Sequence, residues 1–263
     1  FMNILITGSG SGIGYAAALR LAELNHHVFA LIHSEKNLNK FKLIQNITPL
    51  LGDITSQEDR NKLKNLEIDV LINNAGIGKS GPVSYTPLKD VKENFEINVF
   101  GTIAMIQLFA PKFIKKNKGR IINISSVAGK IALPYLGVYT ATKFALEALS
   151  DSLRQELHPY GIFVSIVEPG PIATGFNKKM IESKERWLSQ SAIPSTEVLR
   201  MKKQHQSLVQ QQYQTDSVVH AIVDAVENKN PKIRYVAPPK YWYLVQLATM
   251  IPDKLRDLVL RFK

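Results

Sequence analysis

The sequence predicts an α/β fold: a doubly wound, mostly parallel sheet with helices on both faces. Three observations predict it. Short apolar runs alternate with longer helix-patterned stretches along most of the 263 residues, which requires parallel strands joined by crossover helices. The chain opens on an apolar strand, a Gly-rich turn and an Ala/Leu-rich helix, the usual start of a dinucleotide-binding unit. Finally, Gly8, Asn74, Ser126 and Pro169 each fall just past a predicted strand, and ligands of such sheets bind at the carboxyl ends of strands.

The elements follow in order. Phe1 precedes Met2 and reads as an addition ahead of the natural start, and the Gly-rich turn lies too near the N-terminus to leave room for a secretory signal. Asn3–Thr7 is the first strand, and Gly8, Ser9, Gly10, Ser11, Gly12, Ile13 and Gly14 form the turn. The glycines depart from GxGxxG, reading Gly8-x-x-x-Gly12-x-Gly14 with Gly10 as an extra. Backbone N–H groups at the following helix start would cradle a pyrophosphate. Further strands are expected at Val28–Ile32, Ile47–Leu51, Val70–Asn73, Arg120–Ile124, Phe163–Val167 and Tyr235–Ala237, with long helical stretches over Lys89–Lys115 and Tyr139–His158. Residues 2–263 make one domain. Within it, 172–215 is long and polar and reads as a substrate lid, and 240–263 reads as an amphipathic tail.

Tyr139 and Lys143 are four residues apart on a predicted helix and share one face. Ionising a phenol of pKa ~10 at neutral pH costs ~4 kcal/mol. A cation at about 4–5 Å returns roughly 3–4 kcal/mol at an effective dielectric of ~20. The magnitudes match, so the pair can serve as a general acid/base, with Lys143 expected to lower the tyrosine pKa.

With these motifs in place, the chain resembles the short-chain dehydrogenase/reductase family, in its short single-domain branch with a Rossmann fold. The resemblance runs through "TGSGSGIG", "GDIT", "NNAG", "NVFG", "INISSVAG", the Tyr139/Lys143 run and "VEPGPIAT". It implies a catalytic set of Asn98, Ser126, Tyr139 and Lys143, with Ser126 thirteen residues before Tyr139. Tyr139 would exchange a proton with the substrate oxygen, Ser126 would hydrogen-bond that oxygen, and Lys143 would hold the nicotinamide ribose. Asn98 would anchor a water that relays protons, or alternatively bond helix backbone; neighbouring Ser125 is expected to cap the strand end. Asp53 and Ile54 would flank the adenine, Asn74, Ala75 and Gly76 would line the cofactor, and Pro169, Gly170, Ile172 and Thr174 would flank the nicotinamide.

Cofactor choice turns on the end of the second strand, where NAD enzymes usually place an acid. Ile32 stands there, followed by His33 and Ser34. With no carboxylate to repel a 2′-phosphate, and His33, Ser34 and Lys36 available to hold one, NADP is expected, with NAD as the alternative. The six histidines show no metal-ligand spacing and there are no cysteines, so no metal is expected and a reducing, cytoplasmic setting is.

The substrate is expected to be apolar. Met180, Ile181, Trp187, Leu188, Ile193, Val198 and Leu199 would line the lid and Leu133 to Gly137 another wall, and "YTATKFALEALSDSLRQEL" looks most like hydroxysteroid and retinol dehydrogenases. A steroid-, retinoid- or lipid-like carbonyl or alcohol is the leading expectation. An NAD-dependent dehydrogenase of a small polar alcohol or sugar, and a catalytically silent dinucleotide-binding regulator, are the alternatives. Net charge is +11, yet the basic clusters lack interleaved aromatics and no nucleic-acid partner is expected. In the tail, Tyr241–Ile251 is too short to span a bilayer, while Leu255, Leu258, Val259 and Phe262 recur at helical spacing. Peripheral membrane contact through 240–263 is one reading and packing on protein the other. Relatives pair through helices like Lys89–Lys115 and Tyr139–His158, so a homodimer or homotetramer is expected.

Overall fold

The computed structural model describes residues 1–189, 192–199 and 212–261. Strands β1 (Asn3–Thr7), β2 (His27–Ile32), β3 (Ile47–Leu51), β4 (Val70–Asn73), β5 (Gly119–Ile124), β6 (Ile162–Pro169) and β7 (Arg234–Ala237) form one sheet in the order β3-β2-β1-β4-β5-β6-β7. Every pairing is parallel, with Ile4 opposite both Val28 and Val70. The order reverses between β1 and β4, and the crevice above that switch point is where such sheets take ligands.

The strands are runs of β-branched and Leu side chains because both faces are covered. On one face α1 (Gly12–Glu23) packs Ala17, Ala18, Leu21 and Ala22 against the sheet, beside the helix Asp216–Glu227 with Val218 and Ile222. Small alanines let the α1 backbone approach β1 and β2 closely. On the other face Met105, Phe109 and Phe113 of α4 (Thr102–Lys116) meet Leu5, Leu71 and Ile121. Between them α2 (Gln57–Leu63) is capped by Ser56, which accepts from the Asp59 N–H at 3.2 Å.

Most strand and helix ends fall within one or two residues of the sequence reading, and two differences bear on the site. The stretch expected as one helix over Lys89–Lys115 is α3 (Leu88–Phe95), a π-turn over Glu96–Gly101, and then α4. Helical periodicity does not reveal one inserted residue, and such π-bulges collect at functional positions; this one carries Asn98. Strand β6 continues past Val167 to Pro169, because Glu168 and Pro169 pair with Val236 and Ala237. α5 (Gly137–Leu157) carries Tyr139 and Lys143, and α6 (Gly175–Ser189) opens the lid. The remaining helices are Lys240–Met250 and Asp253–Arg261; Phe262 and much of the later lid lie outside the described residues.

Candidate active site

The Gly-rich turn ends β1 and starts α1. Gly8 and Gly12 have φ of +68° and +59°, and a Cβ on Gly8 would lie 2.7 Å from the Ala75 Cα. Only glycine fits that close approach. Ser11 is the N-cap of α1 but makes no side-chain cap, and the first turn holds no acid. The helix therefore begins with its N–H groups turned to a cavity edged by Gly10, Ser11, Gly12 and Ile13. Ser9 is different: fully buried, it donates Oγ to the Ile6 carbonyl at 2.8 Å. Gly14 packs against Asn74 and the Gly8 carbonyl. These two support the turn from behind rather than edging the cavity.

At the end of β2, Ile32 is buried. His33 lies with Nε2 3.3 Å from Asp53 Oδ2. Asp53 spends its other oxygen on Thr55, accepting from N and Oγ1 at 2.8 Å each. The segment Glu35–Phe41 coils back as a 3₁₀ turn, bringing Asn37 to the cavity and Lys40 Nζ within 3.0 Å of the Gly10 carbonyl. Lys40 also rides over the Tyr15 ring at 5.5 Å. The sequence reading favoured His33, Ser34 and Lys36 here and missed Asn37 and Lys40. A lysine eight residues past the strand end is found only when the turn that returns it is known.

Past β4, the Asn74 Nδ2 donates to the carbonyls of Thr7 and Gly8 at 2.9 and 3.1 Å, tying the two central loops together. Ala75 and Gly76 line the cavity beside it. Asn98 is buried under this loop. The Ile77 N–H donates to its Oδ1 at 2.8 Å, and its Nδ2 donates to the Ile77 carbonyl at 2.8 Å and to Thr142 Oγ1 at 3.0 Å. Its side chain thus bonds backbone, though a loop's rather than a helix's, and does not itself edge the cavity.

Ser126, Tyr139 and Lys143 meet across the cavity floor. Ser126 Oγ accepts from the Ala128 N–H at 3.1 Å and lies 3.4 Å from the Pro169 carbonyl. The cap expected of Ser125 is therefore made by Ser126, and the buried Ser125 Oγ finds no hydrogen-bond partner among the described residues. Lys143 Nζ donates to the Ile124 carbonyl at 2.8 Å and sits 5.8 Å from the Tyr139 ring centre. Burial pushes the phenol up to about 12, against a hydrogen bond from Ser126 that pulls it down. The expected net lowering of Tyr139 is therefore not present in this arrangement. Burial also pulls Lys143 down to about 8, with the Glu147 carboxylate opposing that fall.

The cavity holds about 1780 Å³, beyond the ~300–1,000 Å³ of a drug-sized ligand and ample for a dinucleotide with a second molecule. Pro169, Gly170, Ile172 and Thr174 line one side, and Leu133, Pro134, Tyr135 and Leu136 the other, while Gly137 does not reach it. Of the expected lid residues, Met180 and Ile181 line the cavity, Trp187 covers Gly81 and Leu199 is exposed. Phe176, which was not foreseen, stands 5.6 Å from the Tyr139 ring. Nor was Lys184, a buried lysine 5.5 Å over the Tyr135 ring and drawn down to about 8 by burial. Among the described residues, no group of three or more His, Cys, Asp or Glu is placed to hold a metal. The glycine cradle and uncapped helix start fit a dinucleotide pyrophosphate.

Comparison with known proteins agrees with this geometry. A family model described as short chain dehydrogenase matches residues 2–185. The probable short-chain type dehydrogenase/reductase VdlC of Helicobacter pylori is 32% identical, covering 98% of this chain and 96% of its own. The 3-ketodihydrosphingosine reductase of Bacteroides thetaiotaomicron is 30% identical, over 98% and 96%. Two solved short-chain dehydrogenases share the fold at 24% identity. One, from Burkholderia phymatum in complex with NAD, has a TM-score of 0.79 over 94% of this chain and 92% of its own. The other, from Burkholderia cenocepacia in complex with NADP, has a TM-score of 0.75 over 98% and 97%.

Proposed function

The chain belongs to the short-chain dehydrogenase/reductase family, and from that premise we propose that it moves a hydride between NADP(H) and a carbonyl or alcohol on a lipophilic substrate. The observation that carries this reading is the convergence of Ser126, Tyr139 and Lys143 on one cavity whose outer walls are Leu133, Leu136, Phe176, Met180 and Ile181. A second support is the likeness to the 3-ketodihydrosphingosine reductase of Bacteroides thetaiotaomicron, whose name states a ketone substrate with a lipid chain.

The residues divide the work by position. Tyr139 presents its phenolic proton to the substrate oxygen, and as a carbonyl is reduced that proton goes to the forming alkoxide. Ser126 donates a second hydrogen bond to the same oxygen, where charge develops. Lys143 supplies a fixed positive charge one helical turn from the phenol and would hold the ribose. The bound nicotinamide supplies or accepts the hydride. Asn98 keeps the Ile77 loop closed under the site. Asp53 and Ile54 would hold the adenine end of the cofactor, and Asn37 and Lys40 would join His33 and Ser34 in holding a 2′-phosphate. Phe176 and the lid exclude water from the reacting atoms.

Two features of the surface extend this reading. Trp242, Tyr243, Leu244, Leu247 and Met250 are all exposed on the helix Lys240–Met250, whose Tyr241 lines the cavity. That face supports peripheral contact with a lipid surface, beside the route an apolar substrate takes. Exposed Phe100 and Phe144, near the start of α4 and on α5, support pairing of two copies. The absence of cysteine favours a cytoplasmic setting.

The test is titration with NADPH and NADH side by side by tryptophan quenching, followed by a screen of apolar and polar ketones and alcohols. Tighter NADPH binding and faster turnover of the apolar set support the proposal. Preference for NADH or for small polar substrates replaces it, and binding without turnover of any carbonyl makes the chain a regulator.

A further inference from the structure

One turn beyond Lys143 on α5 lies Glu147, with only 4% of its surface exposed. Cations from two other elements converge on it. Lys130, in the segment after β5, sits 3.0 Å from Glu147 Oε2, and the Arg234 guanidinium of β7 sits 3.2 Å from the same oxygen. Arg234 also reaches Asp151 at 2.6 Å and Glu168 at 3.2 Å, while Arg154 lies 3.5 Å from Asp151. Glu168, at the end of β6 directly before Pro169, is 1% exposed. Burial and then the Glu147 carboxylate raise it to about 7. Burial beside a second carboxylate favours the protonated form of Glu168.

This frame joins the elements that carry the reaction site: α5 with Tyr139 and Lys143, the loop of Ser126, and the strand end at Pro169. A buried network of this kind is costly unless its charges are matched. The carboxylates of Glu147 and Asp151 pair with Lys130, Arg234 and Arg154, and Glu147 is buried one helical turn from the buried Lys143. Lys143 bonds a neutral carbonyl, and Glu147 is the carboxylate whose field opposes its loss of charge.

We propose that Glu147 is a positioning residue for the reaction: its carboxylate is the counter-charge that keeps Lys143 an ammonium, and the Lys130–Arg234–Glu168 frame fixes where that carboxylate sits. The inference rests on the reading of Lys143 as part of the reaction site, but its test does not depend on turnover. In the cofactor-free protein labelled with ¹⁵N-lysine, the Nζ signal of Lys143, assigned by its loss in Lys143→Met, is followed against pH. The wild-type midpoint is expected near 8. In Glu147→Gln it falls by about one unit, the lower end of the effect of a neighbouring opposite charge, and Glu147→Asp returns most of the shift. Lys130→Met, which leaves Glu147 with one competing cation fewer, moves the midpoint upward. A merely structural role for Glu147 would change thermal stability and leave the Lys143 midpoint of Glu147→Gln where it is in the wild type. An unchanged midpoint in Glu147→Gln overturns the proposal. Should that variant not fold, the absence of an upward shift in Lys130→Met does so. Lack of turnover with every carbonyl would instead count against the proposed function.

Discussion

Lys40 donates a hydrogen bond from Nζ to the carbonyl of Gly10 at 3.0 Å, although thirty residues separate them in the chain. The contact puts an ammonium at the rim of the Gly-rich turn, where Asn37 also packs against Gly10. A charged hydrogen bond contributes ~1.5–3 kcal/mol, so Lys40→Met is expected to weaken NADPH binding by about tenfold or more and leave NADH binding nearly unchanged. Parallel quenching titrations measure the ratio. Equal losses for both dinucleotides would mean that Lys40 only braces the turn. Ile32 is a poorer place to test preference, because its buried side chain would force a new carboxylate into the core.

Tyr139→Phe removes one hydroxyl from a ring that keeps its contacts with Phe176. General acid–base groups contribute roughly 10²–10⁴ in rate, so kcat should fall by at least about a hundredfold while NADPH affinity stays within a few-fold of wild type. Steady-state kinetics with cofactor titration decides it. A variant turning over at near wild-type rate would remove Tyr139 from the mechanism.

Gly8→Ala tests the cradle. The new Cβ meets Ala75 Cα at 2.7 Å in a residue with φ of +68°. Left-handed strain of ~1–2 kcal/mol adds to overpacking of ~1–3 kcal/mol, so urea unfolding should show a loss of this order together with weakened dinucleotide binding. Stability and affinity equal to wild type would show that the turn can shift to take the methyl group.

Glu168 has a stability signature with a defined sign. Its folded-state pKa is raised from 4.5 to about 7, so the folded chain binds that proton more tightly than the unfolded chain does. The contribution is fully present below about pH 4.5 and is lost as pH rises through about 7. In Glu168→Gln that loss disappears. Urea midpoints at pH 5 and pH 8 should therefore separate less in the variant than in the wild type. Identical separations in the two proteins would rule out a proton on Glu168.

How much of this was legible in the sequence follows from the range over which each feature is decided. Asn3–Thr7, Ile47–Leu51 and Val70–Asn73 were read with their observed bounds, because a buried parallel strand is a continuous apolar run between turn residues. The inserted residue of the π-turn at Glu96–Gly101 leaves no trace in composition. Likewise, Ser9 looked like its neighbours in the turn, and only the folded loop shows its hydroxyl bonding the Ile6 carbonyl.

By itself the sequence determined the order of strands and helices, the glycine turn, and the placing of Ser126 just past β5 and of Tyr139 and Lys143 in the first two turns of α5. These depend on neighbours within a few residues, where backbone geometry dictates spacing. Tertiary structure alone decided that Asn98 clamps Ile77, that Lys40 meets Gly10, and that Glu147 lies against Lys130 and Arg234. It also decided the sign of the shift on Tyr139. Spacing along α5 predicts attraction from Lys143, but the loss of solvent around the phenol comes from remote elements packed over it. Desolvation is a sum over everything nearby in space, and no local pattern of residues encodes that sum.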